Sequence, residues 1–288
     1  MAQTIVDGLA MGIIYAVVAL GMLLIFNAVR IVNFAQGQLL MVGSYFAVTF
    51  VTALLLPTWL AYLLTIIVMA VFGVIFMFVT YFPLRGKPPY LVILTTIAMG
   101  IVLENLVLIY WGPLPRALPS PVSSTPLDLG VLVISGHVLF TFIVTTVLLV
   151  SQYLLTTKTL FGLMMQATSQ DMVMARLVGV RVNYTICGAF VLSSIFATIA
   201  GLLITPTFLA ETTMGTMLGL KGFVVSVIGG FGNIPGAIIG GILLGLLEMI
   251  GARYLSSDFR DAYAFIALIA VLFIYPRGIF GEKISERV

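Results

Sequence analysis

Charged residues are scarce in this chain, and cysteine and histidine are almost absent. Only 8% of the 288 residues are charged, whereas 61% are hydrophobic. Soluble domains carry about 25% charged residues, so the composition excludes an ordinary soluble fold. Surface residues this apolar must face hydrocarbon, which predicts an integral membrane protein with several spans.

The few residues that could carry chemistry do not form a familiar catalytic or metal site. Cys187 has no second cysteine, which excludes a disulfide framework, and His137 has no partner at metal-ligand spacing. The glycine-rich segment 229–236 lacks the Lys-Ser/Thr ending of a phosphate-binding loop. We therefore expect no enzyme activity, bound cofactor or metal in this chain, and the net charge of +3 gives no indication of a nucleic-acid partner.

Apolar residues are grouped in nine runs, most of which approach the ~20 residues needed to cross a bilayer. The runs are Ile5–Phe26, Gly37–Leu56, Trp59–Phe82, Leu91–Tyr110, Val138–Leu155, Thr185–Ile204, Met217–Phe231, Ile234–Gly251 and Ala262–Tyr275. They predict an all-α bundle of about nine spans. Eight to ten remain open, because Met217–Phe231 is short enough to be half of a broken span. Small residues four apart, as in Gly8-x-x-x-Gly12 and Gly241-x-x-x-Gly245, predict close helix packing.

Basic residues are concentrated in three polar segments, which are 83–90, 156–184 and the tail after Tyr275. Cytoplasmic loops carry an excess of Lys and Arg, so these segments should face the cytoplasm. The segments 111–136 and 205–216 hold few basic residues and should face out. Nine spans with the N-terminus outside and the C-terminus inside satisfy every loop.

The segment 156–184 is polar, yet it is patterned like a helix. Thr168-Ser-Gln-Asp171 resembles a capping box, Arg176 falls in the last turn, and Gly179 stands where a C-terminal glycine would end the helix. A helix of about ten residues is marginal alone in water, so it must pack against something. Packing against its own bundle is one possibility, and we favour a cytosolic partner subunit.

Polar side chains inside the apolar runs indicate a second candidate region. Asn33, Gln36 and Gln38 interrupt the chain between the first two runs, and two further runs contain Glu104-Asn105 and Glu248. Acids are costly in a bilayer and usually face a bundle interior or a route for polar molecules. The amides could instead cap the helix beginning near Gly37, and the acids could form structural pairs. Both interpretations remain open.

Several motifs in order resemble the LivH-type permeases of branched-chain amino acid ABC importers. They are Gly8-Leu-Ala-Met-Gly12-Ile-Ile-Tyr15, Asn33-Phe-Ala-Gln-Gly37, Phe161-Gly-Leu-Met-Met-Gln-Ala, Ala175-Arg-Leu-Val-Gly179, Gly229-Gly-Phe-Gly-Asn-Ile-Pro-Gly236 and Tyr275-Pro-Arg-Gly-Ile-Phe-Gly281. The resemblance covers almost the whole chain, as a single permease domain over 1–288 with a coupling loop at 156–184. Two positions depart from the family pattern: Gln36, where many members carry His, and Glu104, where a neutral amide is common.

The resemblance implies partners and a mechanism. The expected partners are a LivM-like second permease subunit, two LivG/LivF-like cytosolic ATPases that bind ATP and Mg, and a periplasmic amino-acid-binding protein. Alternating access in a bacterial inner membrane would be driven through the short cytoplasmic helix. In that helix the resemblance and the pattern assign coupling to a set of five residues: Asp171, Met172, Arg176, Leu177 and Gly179. The predicted pathway residues are Asn33, Gln36, Gln38, Glu104, Asn105 and Glu248.

Other functions remain possible on the sequence. Related permeases carry urea or small carboxylates. A secondary carrier that needs no ATPase often has broken helices and membrane acids, and breaks near 33–37 and 229–236 would suit one. An ion channel would require ligand rings from several subunits.

Overall fold

A computed structural model describes residues 1–122, 126–128 and 133–281, and these are predominantly helical. Their helices are α1 (Ala2–Val29), α2 (Gln36–Thr52), α3 (Thr58–Thr80), α4 (Pro89–Trp111), α5 (Gly136–Lys158), α6 (Leu160–Gln170), α7 (Met172–Leu177), α8 (Val182–Phe208), α9 (Met214–Gly229), α10 (Ile234–Tyr254) and α11 (Arg260–Ile274). A 3-10 turn spans Phe82–Leu84. Two short antiparallel strands, β1 (Pro126–Asp128) and β2 (Val133–Ser135), pair in the loop between α4 and α5. The prediction of an all-α fold is therefore confirmed for the bundle, but it did not include this pair of strands.

Six helices of the described residues are long and apolar enough to cross a membrane: α1, α3, α4, α5, α8 and α10. The helices α2, α9 and α11 have 17, 16 and 15 residues and are shorter than a full span. The chain is thus a multi-pass membrane protein. The count of nine spans and the orientation of the termini stay predictions.

Helix α1 lies at the centre of the bundle, against α8, α9 and α10. In the most apolar 18-residue stretch of α1, 89% of the residues are buried, compared with 17% in the corresponding stretch of α5. Gly12 allows the close approach of α10, because a Cβ there would lie 2.7 Å from the carbonyl oxygen of Gly241. Gly8 and Gly245 make the equivalent contact nearer the N-terminus of α1. The predicted packing of the small-residue motifs is confirmed.

Helices α2 and α9 begin inside the bundle, with their first turns in contact. After Arg30 the chain turns back, and the Gln36 side chain packs against Gly21, about two turns before the end of α1. Gly37 packs directly on the backbone of Gly215, and a side chain at Gly37 would collide with it. The polar segment 33–37 therefore starts a short interior helix. By contrast, 230–233 is a tight connection between α9 and α10, with positive φ at Gly230 and Gly232.

The segment 156–184 contains two helices where the sequence predicts one. Thr168 lies inside α6, so the predicted start of the helix at Thr168 is wrong. Asp171 interrupts the helix with φ −155° and ψ 109°, and its carboxylate accepts hydrogen bonds from the backbone N–H groups of Val173 and Met174. An extended residue with a short acidic side chain starts a new helix better than it continues the old one. The predicted end is confirmed, since Gly179 has φ 89°.

Candidate functional site

Three helices contribute to a chain of hydrogen bonds between side chains. Gln38 of α2 donates from Nε2 to the Thr216 hydroxyl of α9 at 3.0 Å, and that hydroxyl donates to Oε2 of Glu104 on α4 at 2.8 Å. We call Gln38, Thr216 and Glu104 the polar relay. The structure thus brings together two predicted pathway residues. Thr216 was missed, because a lone threonine beside a glycine carries no distinctive signal in the sequence.

The polar relay reaches the outer surface of the bundle. Thr216 is exposed and Glu104 is half-buried, whereas Gln38 is 8% exposed. Around Glu104 the α4 surface is apolar, with Ile101 and Ile109 exposed to 59% and 74%. A carboxylate directed into hydrocarbon would be costly, so this part of α4 must meet water or protein. Asn105 is exposed nearby and donates to the carbonyl of Ile101 in its own helix.

Asn33 and Gln36 are buried and bonded within the subunit. The Asn33 side chain accepts from the Ala35 N–H at 3.1 Å. The Gln36 amide is held by Ser193 of α8, whose hydroxyl donates to it at 2.8 Å and whose carbonyl accepts from it at 3.1 Å. Neither side chain caps the N-terminus of α2, whose N-cap is Ala35. Their contacts fix the start of α2 against α8, beside the polar relay.

Glu248 lies apart from the other predicted pathway residues, in a separate buried network. Its side chain is fully buried and accepts a 2.7 Å hydrogen bond from the Tyr15 hydroxyl. Lys221 Nζ lies 2.8 Å from Glu248 Oε1 and 2.7 Å from Oδ1 of Asp261. We call Tyr15, Lys221, Glu248, Arg260 and Asp261 the charge network. It joins α1, α9, α10 and α11.

Each charge in this network has an opposite charge close by. Arg260 Nε lies 3.4 Å from Glu248 Oε2, and its guanidinium lies over the ring of Phe208 at 5.6 Å. Pairing offsets the large desolvation penalty of a buried ion, and removal of one partner leaves the other unpaired. Lys221 is not among the predicted site residues. It is the one basic residue in the run Met217–Phe231, and a lone cation in an apolar run could have indicated an ion pair with Glu248.

The five predicted coupling residues lie together on α7 and at its ends. Arg176 and Leu177 are exposed in its last turn, whereas Met172 packs inward, with its sulfur 3.9 Å from the Tyr81 hydroxyl. Leu177 is 76% exposed, and Val173 and Val178 add further exposed apolar surface. Such an apolar patch on a polar loop indicates a surface that another protein covers.

Within the described part of the chain, no group of three His, Cys, Asp or Glu residues could hold a metal ion.

Comparisons with known proteins agree on one family. Residues 4–274 match the family described as branched-chain amino acid transport system / permease component. The chain is 31% identical to the high-affinity branched-chain amino acid transport system permease protein BraD of Pseudomonas aeruginosa, covering 99% of this chain and 97% of that protein. It is 30% identical to the corresponding LivH protein of Escherichia coli, with the same coverage.

A relative in an archaeon and one solved structure extend the comparison. The probable LivH permease of Methanocaldococcus jannaschii is 30% identical over 91% of this chain and 87% of its own length. The structure of PsaBC from Streptococcus pneumoniae in complex with Fab superposes with a TM-score of 0.52, covering 96% of this chain and 92% of that one, at 14% identity. That likeness shows the fold. The family match and the identities over nearly the full length show that the chain belongs to the permease components of branched-chain amino acid transport systems.

Proposed function

We propose that this permease carries a branched-chain or other neutral amino acid across the bacterial inner membrane by alternating access, with the polar relay facing the route. The observation that supports this most is the hydrogen-bonded pair of exposed Thr216 and half-buried Glu104 beside an apolar surface of α4. Hydrocarbon would not tolerate it, whereas a polar substrate passing between two subunits would use it. Asn33 and Gln36 hold the start of α2 in place beside the polar relay.

The exposed side of the polar relay also supports a second permease subunit. We propose a LivM-like partner that covers this side, so that the route lies between the two subunits. A periplasmic amino-acid-binding protein would deliver substrate from outside. The whole chain, 1–288, would act as one permease domain, with 156–184 as its coupling loop.

The driving force would come from two LivG/LivF-like ATPases, which bind ATP and Mg. The exposed apolar surface of α7 and the basic side chain of Arg176 are suited to a groove on such a subunit. Asp171 caps α7 and Gly179 ends it, so these two residues would set its length and direction. Leu177 would insert into the groove, and Met172 would anchor α7 to the bundle through Tyr81.

The relatives favour amino acids over urea or a small carboxylate as the cargo, since their names specify branched-chain amino acids. A secondary carrier would need no exposed cytosolic helix. A channel would place ligand rings on a symmetry axis, and the polar relay is a line of three side chains that this chain supplies alone.

Reconstituted transport tests the proposal. The full complex in liposomes should take up L-[3H]leucine only with ATP inside and binding protein outside. The variants Thr216→Val and Glu104→Gln should each lower kcat/KM about tenfold or more, because the first removes a hydrogen bond to a charged group, worth ~1.5–3 kcal/mol, and the second removes the charge. Thr146→Val, at an exposed position of α5, is the matched control and should transport normally.

Two outcomes would contradict this function. Uptake driven by an ion gradient, without ATPases, would identify a secondary carrier. Unchanged kinetics in both Thr216→Val and Glu104→Gln would remove the polar relay from the route.

A further inference from the structure

A cavity of about 400 Å³ opens between α1, α8, α9 and α11, on the other side of α9 from the polar relay. One part of its wall is apolar and includes Ile204, Met217 and Leu218. Another part carries charges of both signs, from the charge network and from two further acids, Glu211 and Asp258. A lining of this kind suits a small ligand that has an apolar body and charges of both signs.

Arg260 is held in the cavity wall with most of its donors unused. Its guanidinium is fixed by the Phe208 ring, and only Nε approaches an acceptor, at 3.4 Å from Glu248. Nε and one terminal nitrogen are buried without a hydrogen-bond partner among the described residues, and 26% of the side chain is exposed. A guanidinium has five N–H donors in a planar fork that matches a carboxylate. Arg260 therefore offers a cation with unused donors to a carboxylate that enters the cavity.

The acids of the cavity divide into paired and unpaired groups. Asp261 is paired with Lys221, which also neutralises Glu248. Glu211 and Asp258 are exposed, and neither forms an ion pair with any residue that the structure describes. The cavity thus has a cation with free donors and two free carboxylates, which is the complement of a zwitterion.

We propose that this cavity is a binding site for a free α-amino acid with an aliphatic side chain. The ligand carboxylate lies on Arg260, its ammonium lies among Glu211 and Asp258, and its side chain lies against Met217 and Leu218. The choice of an amino acid over other zwitterions rests on the proposed transport function. The site is separate from the polar relay, because Thr216 and Met217 face different sides of α9.

Direct binding tests the site independently of transport. The full chain in nanodiscs of phosphatidylglycerol is titrated with L-[3H]leucine, and two analogues of similar size compete. One analogue, 4-methylpentanoate, lacks the ammonium, and the other, isoamylamine, lacks the carboxylate. Saturable leucine binding is expected, with each analogue at least about tenfold weaker, because each loses a charge-assisted contact. Equal affinity for leucine and one analogue would overturn the zwitterion site.

Two variants place the ligand in the cavity. Arg260→Gln should weaken leucine binding about tenfold or more, through loss of the charged fork. Met217→Trp should abolish binding by filling the cavity, without changing its charge. Arg253→Gln removes a guanidinium of α10 that bonds to Thr4 outside the cavity, and it should bind leucine normally. Size-exclusion profiles confirm folding. If Arg260→Gln fails to fold, normal leucine binding by Met217→Trp would by itself refute the site.

A lipid headgroup has the same pair of charges and is the competing occupant. Nanodiscs that contain phosphatidylethanolamine distinguish the two. Unchanged leucine affinity supports the amino-acid site, and loss of leucine binding there would assign the cavity to the lipid.

Transport measurements separate the proposed site from the proposed function. If the complex shows ATP-driven uptake but its leucine binding does not depend on Arg260, the proposed site is overturned and the transport function stands. Leucine binding without such uptake would leave the site and overturn the transport function.

Discussion

The two acids of the apolar runs, Glu104 and Glu248, have opposite surroundings. Glu248 is fully buried and is neutralised by Lys221, with Tyr15 bonded to its second oxygen. Among the described residues, Glu104 has Thr216 as its one hydrogen-bond partner, and it lies near the surface of α4. A buried, paired acid contributes to the architecture of the bundle, and an acid with one neutral partner is available to a substrate or a partner subunit.

Replacing Lys221 with Met should strongly destabilise the protein. The change leaves the Glu248 carboxylate buried without its main cation, which typically costs ~3–5 kcal/mol. Thermal unfolding of the purified protein in detergent measures the effect. Lys87→Met, an exposed lysine, is the control and should unfold like the parent.

The double variant Lys221→Met/Glu248→Met distinguishes pairing from packing. With both charges gone, much of the lost stability should return, because apolar groups of similar volume can replace a buried pair. A double variant as unstable as the sum of the two single variants would show that the two charges are not coupled.

At the scale of elements, the short helices α2 and α9 decide where polar groups enter the bundle. Their first turns meet at Gly37 and Gly215, which places Gln38 and Thr216 within hydrogen-bonding distance. Both helices are shorter than the ~20 residues of a typical span, and each begins beside other backbone. Such a geometry is tolerated in a membrane only where protein surrounds the free N–H groups.

Gly37→Ala should separate α2 from α9. The added Cβ would meet Gly215 backbone and lie 2.7 Å from the Gly219 nitrogen, and backbone cannot yield as a side chain can. Forced overpacking of this kind costs ~1–3 kcal/mol. Thermal unfolding and leucine uptake should both decline.

Gly100→Ala is the control for this substitution, because the nearest atoms to its Cβ, at 3.2 Å, belong to the flexible Gln38 side chain and not to backbone. It should retain the parent's unfolding temperature. If Gly37→Ala is as stable as Gly100→Ala, the close contact between α2 and α9 does not exist.

Asp171 determines where α7 begins. Asp171→Ala removes the acceptor for the Val173 and Met174 N–H groups, and loss of such a cap costs ~0.5–2 kcal/mol. Hydrogen exchange of the α7 amides should become several-fold faster. Asp171→Asn, which keeps an acceptor oxygen, should exchange almost like the parent. Ser169→Ala is the neighbouring control, since its hydroxyl bonds only the Gln166 carbonyl. Equal exchange in all three variants would exclude the cap.

At the scale of the whole molecule, two of the exposed apolar surfaces differ in what can cover them. One is the outside of α3, α4 and α5, which is long enough to face hydrocarbon. The other is α7, whose Val173, Leu177 and Val178 are exposed on a loop that is too polar to enter the bilayer. Lipid can cover the first surface except around Glu104, which must meet water or protein, and the second surface supports the proposed ATPase partner.

Arg176→Glu should abolish association with the ATPases or ATP-driven uptake, since it reverses the charge in the exposed last turn of α7. Membrane insertion and the unfolding temperature should not change, because Arg176 is exposed. Co-purification of the ATPases with the permease measures association. Lys87→Glu, at an exposed position between α3 and α4 and outside the coupling loop, is the charge-matched control and should co-purify normally. Full uptake by Arg176→Glu would refute docking through α7.

The apolar runs were sufficient to predict a helical membrane bundle, and linked motifs along the chain were sufficient to predict the family. Local signals also placed the end of α7 at Gly179 correctly, because a glycine with positive φ ends a helix wherever the helix lies. The start of α7 was missed by three residues. Thr168 and Asp171 are both good N-cap residues, and only the continuation of α6 through Thr168 excludes the first.

The sequence by itself determined that the chain enters a membrane, because burial in hydrocarbon depends on the length and composition of each run. Only the tertiary structure decided which polar residues share a site. Gln38, Thr216 and Glu104 lie on three different helices. Glu248 forms an ion pair with Lys221 and lies apart from Glu104. Contacts between distant segments depend on how closely the backbones approach. That distance is set jointly by glycines on facing helices, and no single run of sequence contains both of them.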